Sequence, residues 1–154
     1  MSELPLPFRD PACAARLALI ASSYRRLIGS DLVDGGNDLI GALWNAPAVI
    51  LAHGREDDPR FFFANAAALI RFEANLDAMI GMPSRLSAEA SSRAERQALL
   101  DRVSRDGFIA DYAGVRVSLT AKRFCIEQAT VWNLLDADGT VHGQAAAFSR
   151  WTEL

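Results

Sequence analysis

The sequence predicts an α+β domain: a five-stranded antiparallel sheet with helices on one face, preceded by an N-terminal amphipathic helix. Three observations lead there. The stretch from Arg123 to Trp151 is two strand-like runs, rich in Phe, Ile, Thr, Val and Trp, joined at Asp136-Ala-Asp-Gly139 as a β-hairpin. Two short apolar runs, Ala48 to Ala52 and Arg60 to Phe63, are separated by the turn residues Asp57-Asp58-Pro59, and a period-two run from Phe108 to Leu119 leads into the hairpin. Helical periodicity fills the remaining intervals, and late strands joined by tight turns must be antiparallel neighbours.

In chain order, Asp10-Pro11 is a helix start, a carboxylate that accepts from free backbone amides followed by proline at a position where its missing N–H is no loss. Leu17, Ile20, Ala21, Tyr24, Leu27 and Ile28 then recur at helical spacing, and Gly29 closes the helix. Leu17, Ile20 and Tyr24 form a face that either packs on the domain's own sheet or meets a second chain. Asn37 or Asp38 caps a short helix ending near Trp44, before Pro47. Ala48 to Ala52 is apolar throughout, as a strand covered on both faces requires, and His53-Gly54 ends it. Asn65 caps a helix to Phe72, and a shorter helix from Asn75 to Ile80 stops at Gly81.

A longer helix is expected over Ser87 to Arg105, with Ser92 and Glu95 as a capping box and Leu99, Leu100 and Val103 as its buried stripe. In the strand that follows, alternation puts Ile109, Val115, Val117 and Leu119 on one face and Phe108, Tyr112 and Arg116 on the other, with Gly114 marking a bulge. In the hairpin, Phe124, Ile126, Gln128, Thr130, Trp132 and Leu134 share a face that is apolar except for an amide and a hydroxyl. Polar groups on a core face need partners, from the chain itself or from a bound molecule. The expected organisation is a tail at 1–9, N-terminal helices at 10–45 and the sheet-bearing domain at 46–154.

Composition excludes several classes. At 154 residues, 51% hydrophobic and 23% charged, the chain is the size and make-up of one globular domain. A net charge of -3, with basic residues scattered, gives no footprint for a nucleic-acid partner. Leu17 to Ala21 is too short to span a membrane, and no export signal is visible. Cys13 and Cys125 are far apart and lack CxxC spacing, which fits a reduced, cytoplasmic setting.

For chemistry, no Ser-His-Asp pattern, phosphate-binding loop or HExxH motif is present, so no residue is expected to be catalytic. His53, beside Glu56, Asp57 and Asp58, is a candidate proton carrier or metal ligand, while His142 reads as a turn residue, which gives a two-histidine metal site little support. Tyr112, Gln128, Thr130 and Trp132, joined by His53 and by Gln144 from the last strand, are the candidates for lining a small-ligand pocket, because such sites pair an apolar wall with a few polar groups.

The order of elements and several local strings resemble the PAS-like domains, and within them the MEKHLA domain family. The strings are Ala46-Pro-Ala-Val-Ile-Leu-Ala-His-Gly54, Asp58-Pro-Arg-Phe-Phe-Phe-Ala-Asn65, Pro83-Ser-Arg-Leu-Ser-Ala-Glu89, Gly107-Phe-Ile-Ala-Asp-Tyr-Ala-Gly-Val-Arg116, Ile126-Glu-Gln-Ala-Thr-Val-Trp-Asn133 and Gly143-Gln-Ala145. The resemblance implies a PAS fold whose sheet and helices enclose a small cavity used for sensing a ligand or controlling dimerisation. Light-responsive flavin PAS domains carry their reactive cysteine in an Asn-Cys-Arg-Phe-Leu-Gln motif; Cys13 and Cys125 stand outside any such string, so a flavin-cysteine adduct is not expected. The leading expectation is a non-enzymatic sensor holding a small organic ligand, with no cofactor identified by the sequence. A ligand-free dimerisation module and a small NTF2-like enzyme, with His53 and Asp111 as its dyad, are the alternatives.

Overall fold

The computed structural model describes residues 3–89 and 93–154. Its elements are α1 (Leu6–Arg9), α2 (Pro11–Ile28), α3 (Leu39–Asn45), β1 (Val49–His53), β2 (Phe61–Ala64), α4 (Ala66–Arg71), α5 (Leu76–Met79), a 3₁₀ turn (Ser84–Ser87), α6 (Arg93–Asp106), β3 (Phe108–Val117), β4 (Arg123–Leu135), β5 (Val141–Phe148) and β6 (Arg150–Glu153). All pairings are antiparallel, and the sheet runs β2-β1-β5-β4-β3, with β6 as a sixth strand beside the first half of β4.

The start and stop signals act as their chemistry requires. The Asp10 carboxylate accepts from Ala12 N at 2.9 Å, and Gly29 closes α2 in the left-handed region at φ 91°. Asp38 caps α3, and Asn75 caps α5. Asn65 does more than cap α4. Its Oδ1 accepts from Ile50 N and Ala68 N, and its Nδ2 donates to Leu43 O and Ala48 O, so one buried side chain ties α4 to β1 and to the end of α3.

Helices cover both faces of the sheet. On one face, α2 and α3 enclose Ile50, Ala52, Phe63, Trp132, Leu134 and Ala145. The Trp132 indole donates to Ile20 O at 3.1 Å, and Ser23 Oγ accepts from Leu135 N at 2.7 Å, which stitches α2 to β4. On the opposite face lie α4, α5 and α6, over Val49, Leu51, Phe124, Ile126 and Ala129 at one end and Ile109 and Val131 at the other. Leu6 to Arg9, expected as tail, form a helical turn that buries Phe8 against Phe63, with ring centroids 4.9 Å apart.

Two bulges between β3 and β4 break the alternation expected of those strands, and a third irregularity separates Leu134 from Leu135 in the β4–β5 pairing. Between the Tyr112–Ala129 and Gly114–Ile126 pairs, β4 carries an extra residue, and Gln128 adopts φ 50° there. Phe124 and Ile126 before the bulge therefore share a face with Ala129 and Val131 after it, while Thr130, Trp132 and Leu134 turn to the α2 side. A compensating irregularity between Ile109 and Tyr112 brings Ile109 and Tyr112 onto one side, where alternation had separated them. The helix expected from Ser87 is also shorter: Ser84–Ser87 is a 3₁₀ turn, α6 starts at Arg93, and the expected capping residue Ser92 lies outside the described residues.

Candidate functional site

The side chains that converge on one place do so between the sheet and α6. Alternation along β1 sends Val49, Leu51 and His53 to the α6 side, and register pairs His53 with Gln144 on β5. A cleft of about 260 Å³ is lined there by His53, Gly54, Glu56, Gln97, Leu100 and Gln144, among others. Behind it, an inner pocket of about 50 Å³ shares His53, Leu100 and Gln144 and adds Arg96 and Arg116 against the apolar Leu51, Phe61, Leu99 and Val131. An apolar wall with few convergent polar groups is the usual construction of a small-ligand site.

His53 is 9% exposed, and its Nδ1 lies 2.8 Å from Gly54 O. A carbonyl only accepts, so Nδ1 carries the proton and Nε2 is left as an acceptor. Burial, with Arg96 nearby, outweighs the Gly54 bond and Glu56 and pushes its pKa down from 6.5 to about 4. At neutral pH the imidazole is uncharged.

Gln144 is 6% exposed, and its orientation is set by what surrounds it. Its Nε2 donates to Leu100 O, Ser104 Oγ and Asn133 Oδ1 at 3.1 to 3.2 Å, while Asn133 Nδ2 donates to Val103 O at 3.0 Å. These bonds fasten α6 to β4 and β5. They also leave Gln144 Oε1 buried with no partner. An unpaired buried acceptor is costly, so this atom marks a place where a donor belongs.

Arg96 on α6 is 7% exposed and Arg116 on β3 is 8% exposed. Arg96 Nη2 donates to Ser84 Oγ at 2.5 Å; Arg116 donates to Val115 O at 2.8 Å and to the Tyr112 hydroxyl at 3.1 Å. Burial first, and then the Arg116 charge, push the Arg96 pKa down to about 10. Sequence reasoning missed both arginines as site residues. The signal was present for Arg96, which sits three and seven residues before Leu99 and Val103 on the stripe that faces the core. For Arg116 it was an arginine between two valines in a strand whose register could not be read.

The structure divides the six residues expected to line one pocket. His53 and Gln144 meet, and Tyr112 touches the pocket through its bond to Arg116. Gln128 and Thr130 instead border a shallow cleft on the α2 side with Tyr24 and Arg150, and Trp132 is fully buried in the core beneath α2. The bulge at Gln128 is the reason. Leu17 and Ile20, expected as an interface with Tyr24, are 1% and 0% exposed inside the chain's own core, so a second chain cannot reach them. Tyr24 packs edge-on against Trp132 at 4.9 Å. Asp111 is exposed on β3, and the carboxylate that bears on His53 is that of Glu56, so the expected dyad is not assembled. Among the described residues, no helix is long and apolar enough to cross a membrane, and no group of three or more His, Cys, Asp or Glu could hold a metal ion.

Known proteins share this architecture. The chain aligns with the PAS domain of a Colwellia psychrerythraea protein at TM-score 0.61, with 10% identity, 74% of this chain covered and 92% of that one. An RNA-binding light-oxygen-voltage receptor aligns at TM-score 0.62, with 14% identity, 75% of this chain covered and 32% of that one. At these identities the likeness is one of fold, and the fold is that of PAS and light-oxygen-voltage domains. By sequence, the chain is 30% identical over 128 residues to the homeobox-leucine zipper protein ATHB-14 of Arabidopsis thaliana, covering 82% of this chain and 15% of that protein. It is 28% identical over 154 residues to HOX32 of Oryza sativa subsp. japonica, covering 97% of this chain and 18% of that protein. The chain thus spans less than a fifth of the curated relatives it matches. The MEKHLA domain model matches residues 14–153, which takes in α2 from its second turn onward, the whole six-stranded sheet and every residue of the pocket. With its PAS-like fold and a family match over nearly its whole length, the chain belongs to the MEKHLA domain family.

Proposed function

We propose that the chain is a non-enzymatic PAS-like sensor or binding module that holds a small organic ligand between the sheet and α6. The observation that supports this most is Gln144 Oε1, buried without a donor in the wall of a pocket whose other polar groups are His53, Arg96 and Arg116. Folded proteins seldom leave such an atom unpaired, and a ligand donor is the natural partner in a pocket open to a larger cleft. The ligand's effect on the rest of the molecule runs through α6, because α6 is held to the sheet by the Gln144–Asn133–Val103 chain of hydrogen bonds that lines the site. We assign the module to the cytoplasm, where its two free cysteines stay reduced. Some structural neighbours are light-oxygen-voltage domains, but Cys13 on α2 and Cys125 on β4 are not among the pocket's lining residues, so light sensing through a cysteine adduct is not part of the proposal.

The test is thermal denaturation of dialysed protein across a panel of small metabolites, with native mass spectrometry of the undialysed protein. Wild type is expected to gain stability from at least one compound, and Gln144→Leu to lose that gain. A panel without effect on wild type, together with no bound mass, would overturn the reading.

A further inference from the structure

Arg96 and Arg116 line the same inner pocket and are almost fully buried. The ion pairs among the described residues join Arg9, Arg25, Arg71, Arg85, Arg105, Lys122, Arg123 and His142 to acids; neither pocket arginine is in one. Asp58, the acid that bears on Arg96 from a distance, is engaged at 3.1 Å by Arg85 at the surface. Among the described residues the two guanidiniums make three hydrogen bonds, to Ser84 Oγ, Val115 O and the Tyr112 hydroxyl, all uncharged acceptors. Each guanidinium has five donors, and those not bonded to the chain are not sealed off like Gln144 Oε1 but remain accessible, free to meet a bound molecule. Desolvating two like charges side by side without a counter-ion is strongly unfavourable, and an anion is what offsets it. The same pocket presents two acceptors, Gln144 Oε1 and the Nε2 of neutral His53. A bare anion satisfies the arginines and leaves the acceptors unmet. A molecule with an anionic group and an adjacent O–H or N–H satisfies all four.

Building on the ligand-site reading above, we propose that the ligand is a compact organic acid, its carboxylate bound by Arg96 and Arg116 and a neighbouring hydroxyl or amino group donating to Gln144 and His53. A pocket of about 50 Å³ fits that size, and any longer substituent extends into the outer cleft beside Gly54 and Gln97. Arginine suits the role because its planar fork binds a carboxylate through two parallel bonds.

The experiment compares lactate, its neutral amide lactamide and inorganic phosphate as probes, by calorimetry and thermal denaturation, on wild type, Arg96→Met, Arg96→Lys and Gln144→Leu. Lactate is expected to stabilise wild type, lactamide not to, and phosphate to do so less than lactate. Arg96→Met is expected to weaken lactate binding about tenfold or more, and Arg96→Lys to restore part of it. After exhaustive dialysis, Arg96→Met is expected to melt at or above the wild-type temperature, because it removes a buried charge that lacks a counter-ion; a merely structural arginine gives a lower one. Lactamide binding as well as lactate, or uncharged metabolites binding in a Gln144-dependent way while organic acids do not, overturns the acid assignment and leaves the ligand site standing. Phosphate equal to lactate overturns the hydroxyl or amino part. No binding of any probe or metabolite overturns both.

Discussion

Replacing His53 by glutamine should flatten the stability of the protein between pH 6.5 and 4. The imidazole is held neutral by burial, with its pKa lowered from 6.5 to about 4. A base whose folded pKa lies below its unfolded value binds its proton more readily in the unfolded chain. Its contribution to stability is therefore complete above the unfolded value and is lost as pH falls from 6.5 toward 4. At 1.36 kcal/mol per pKa unit, the loss across that window is about 3 kcal/mol. The groups facing the ring are Arg96, which opposes protonation, and Glu56, which favours it. Carboxylates held low elsewhere, such as Glu73 at about 2 beneath the Thr120, Ser118 and Lys122 donors, lose their contribution at lower pH, from the ordinary carboxylate value downward. Urea unfolding of wild type and His53→Gln at pH values on either side of the window isolates the histidine as the difference of two slopes. Identical slopes, or an imidazole that titrates near 6.5 by NMR in the folded protein, would refute the reasoning.

Other substitutions test the scaffold. Asn65→Ala orphans two backbone N–H groups and two carbonyls at once and should cost about 3 kcal/mol or more, with Asn65→Asp little better because it lacks the donor; chemical denaturation measures both. Leu17→Glu places a carboxylate in the core under α2 and should unfold the protein, as read by circular dichroism, instead of yielding a folded monomer. Gly143 adopts φ 151° where β5 pairs with the end of β1, and a Cβ there would fall on the His53 carbonyl oxygen, so Gly143→Ala should cost about 2 kcal/mol and disturb the pocket beneath α6. The check is a lower melting temperature together with weaker binding of any compound that stabilises wild type.

Much of the fold could be read from local chemistry. Asp10-Pro11, Gly29, Asp38 and Asn65 are caps and stops whose effect depends on a few neighbouring residues, and each lies where the structure uses it. The all-apolar run ending at His53 indicated a strand covered on both faces, as β1 is. The pocket was legible only in part. His53 and Gln144 were within reach because each is a lone polar residue at a predictable place on a strand. The faces of β3 and β4 were not, since a bulge shifts a period-two pattern by one residue; Gly114 marked a bulge at this level, but the extra residue is on β4, where the string Ile126-Glu-Gln-Ala-Thr130 carries no glycine. That shift sent Gln128, Thr130 and Trp132 to the opposite side. Arg96 and Arg116 escaped notice for another reason: arginine is ordinarily a surface residue, and its burial is decided by which distant element covers it. The sixth strand, β6, is short, exposed and defined by pairing to Phe124–Glu127 alone, which no local pattern specifies.

The central claim is that the cavity beneath α6 is the ligand site. Two-dimensional NMR of isotopically labelled protein, titrated with lactate and then with a metabolite panel, tests it residue by residue. The resonances expected to move are those of His53, Arg96, Arg116 and the Gln144 side-chain amide, together with the α6 amides near Leu100. Shifts centred on Gln128 and Thr130 across the sheet, or a spectrum that no compound perturbs, would contradict it.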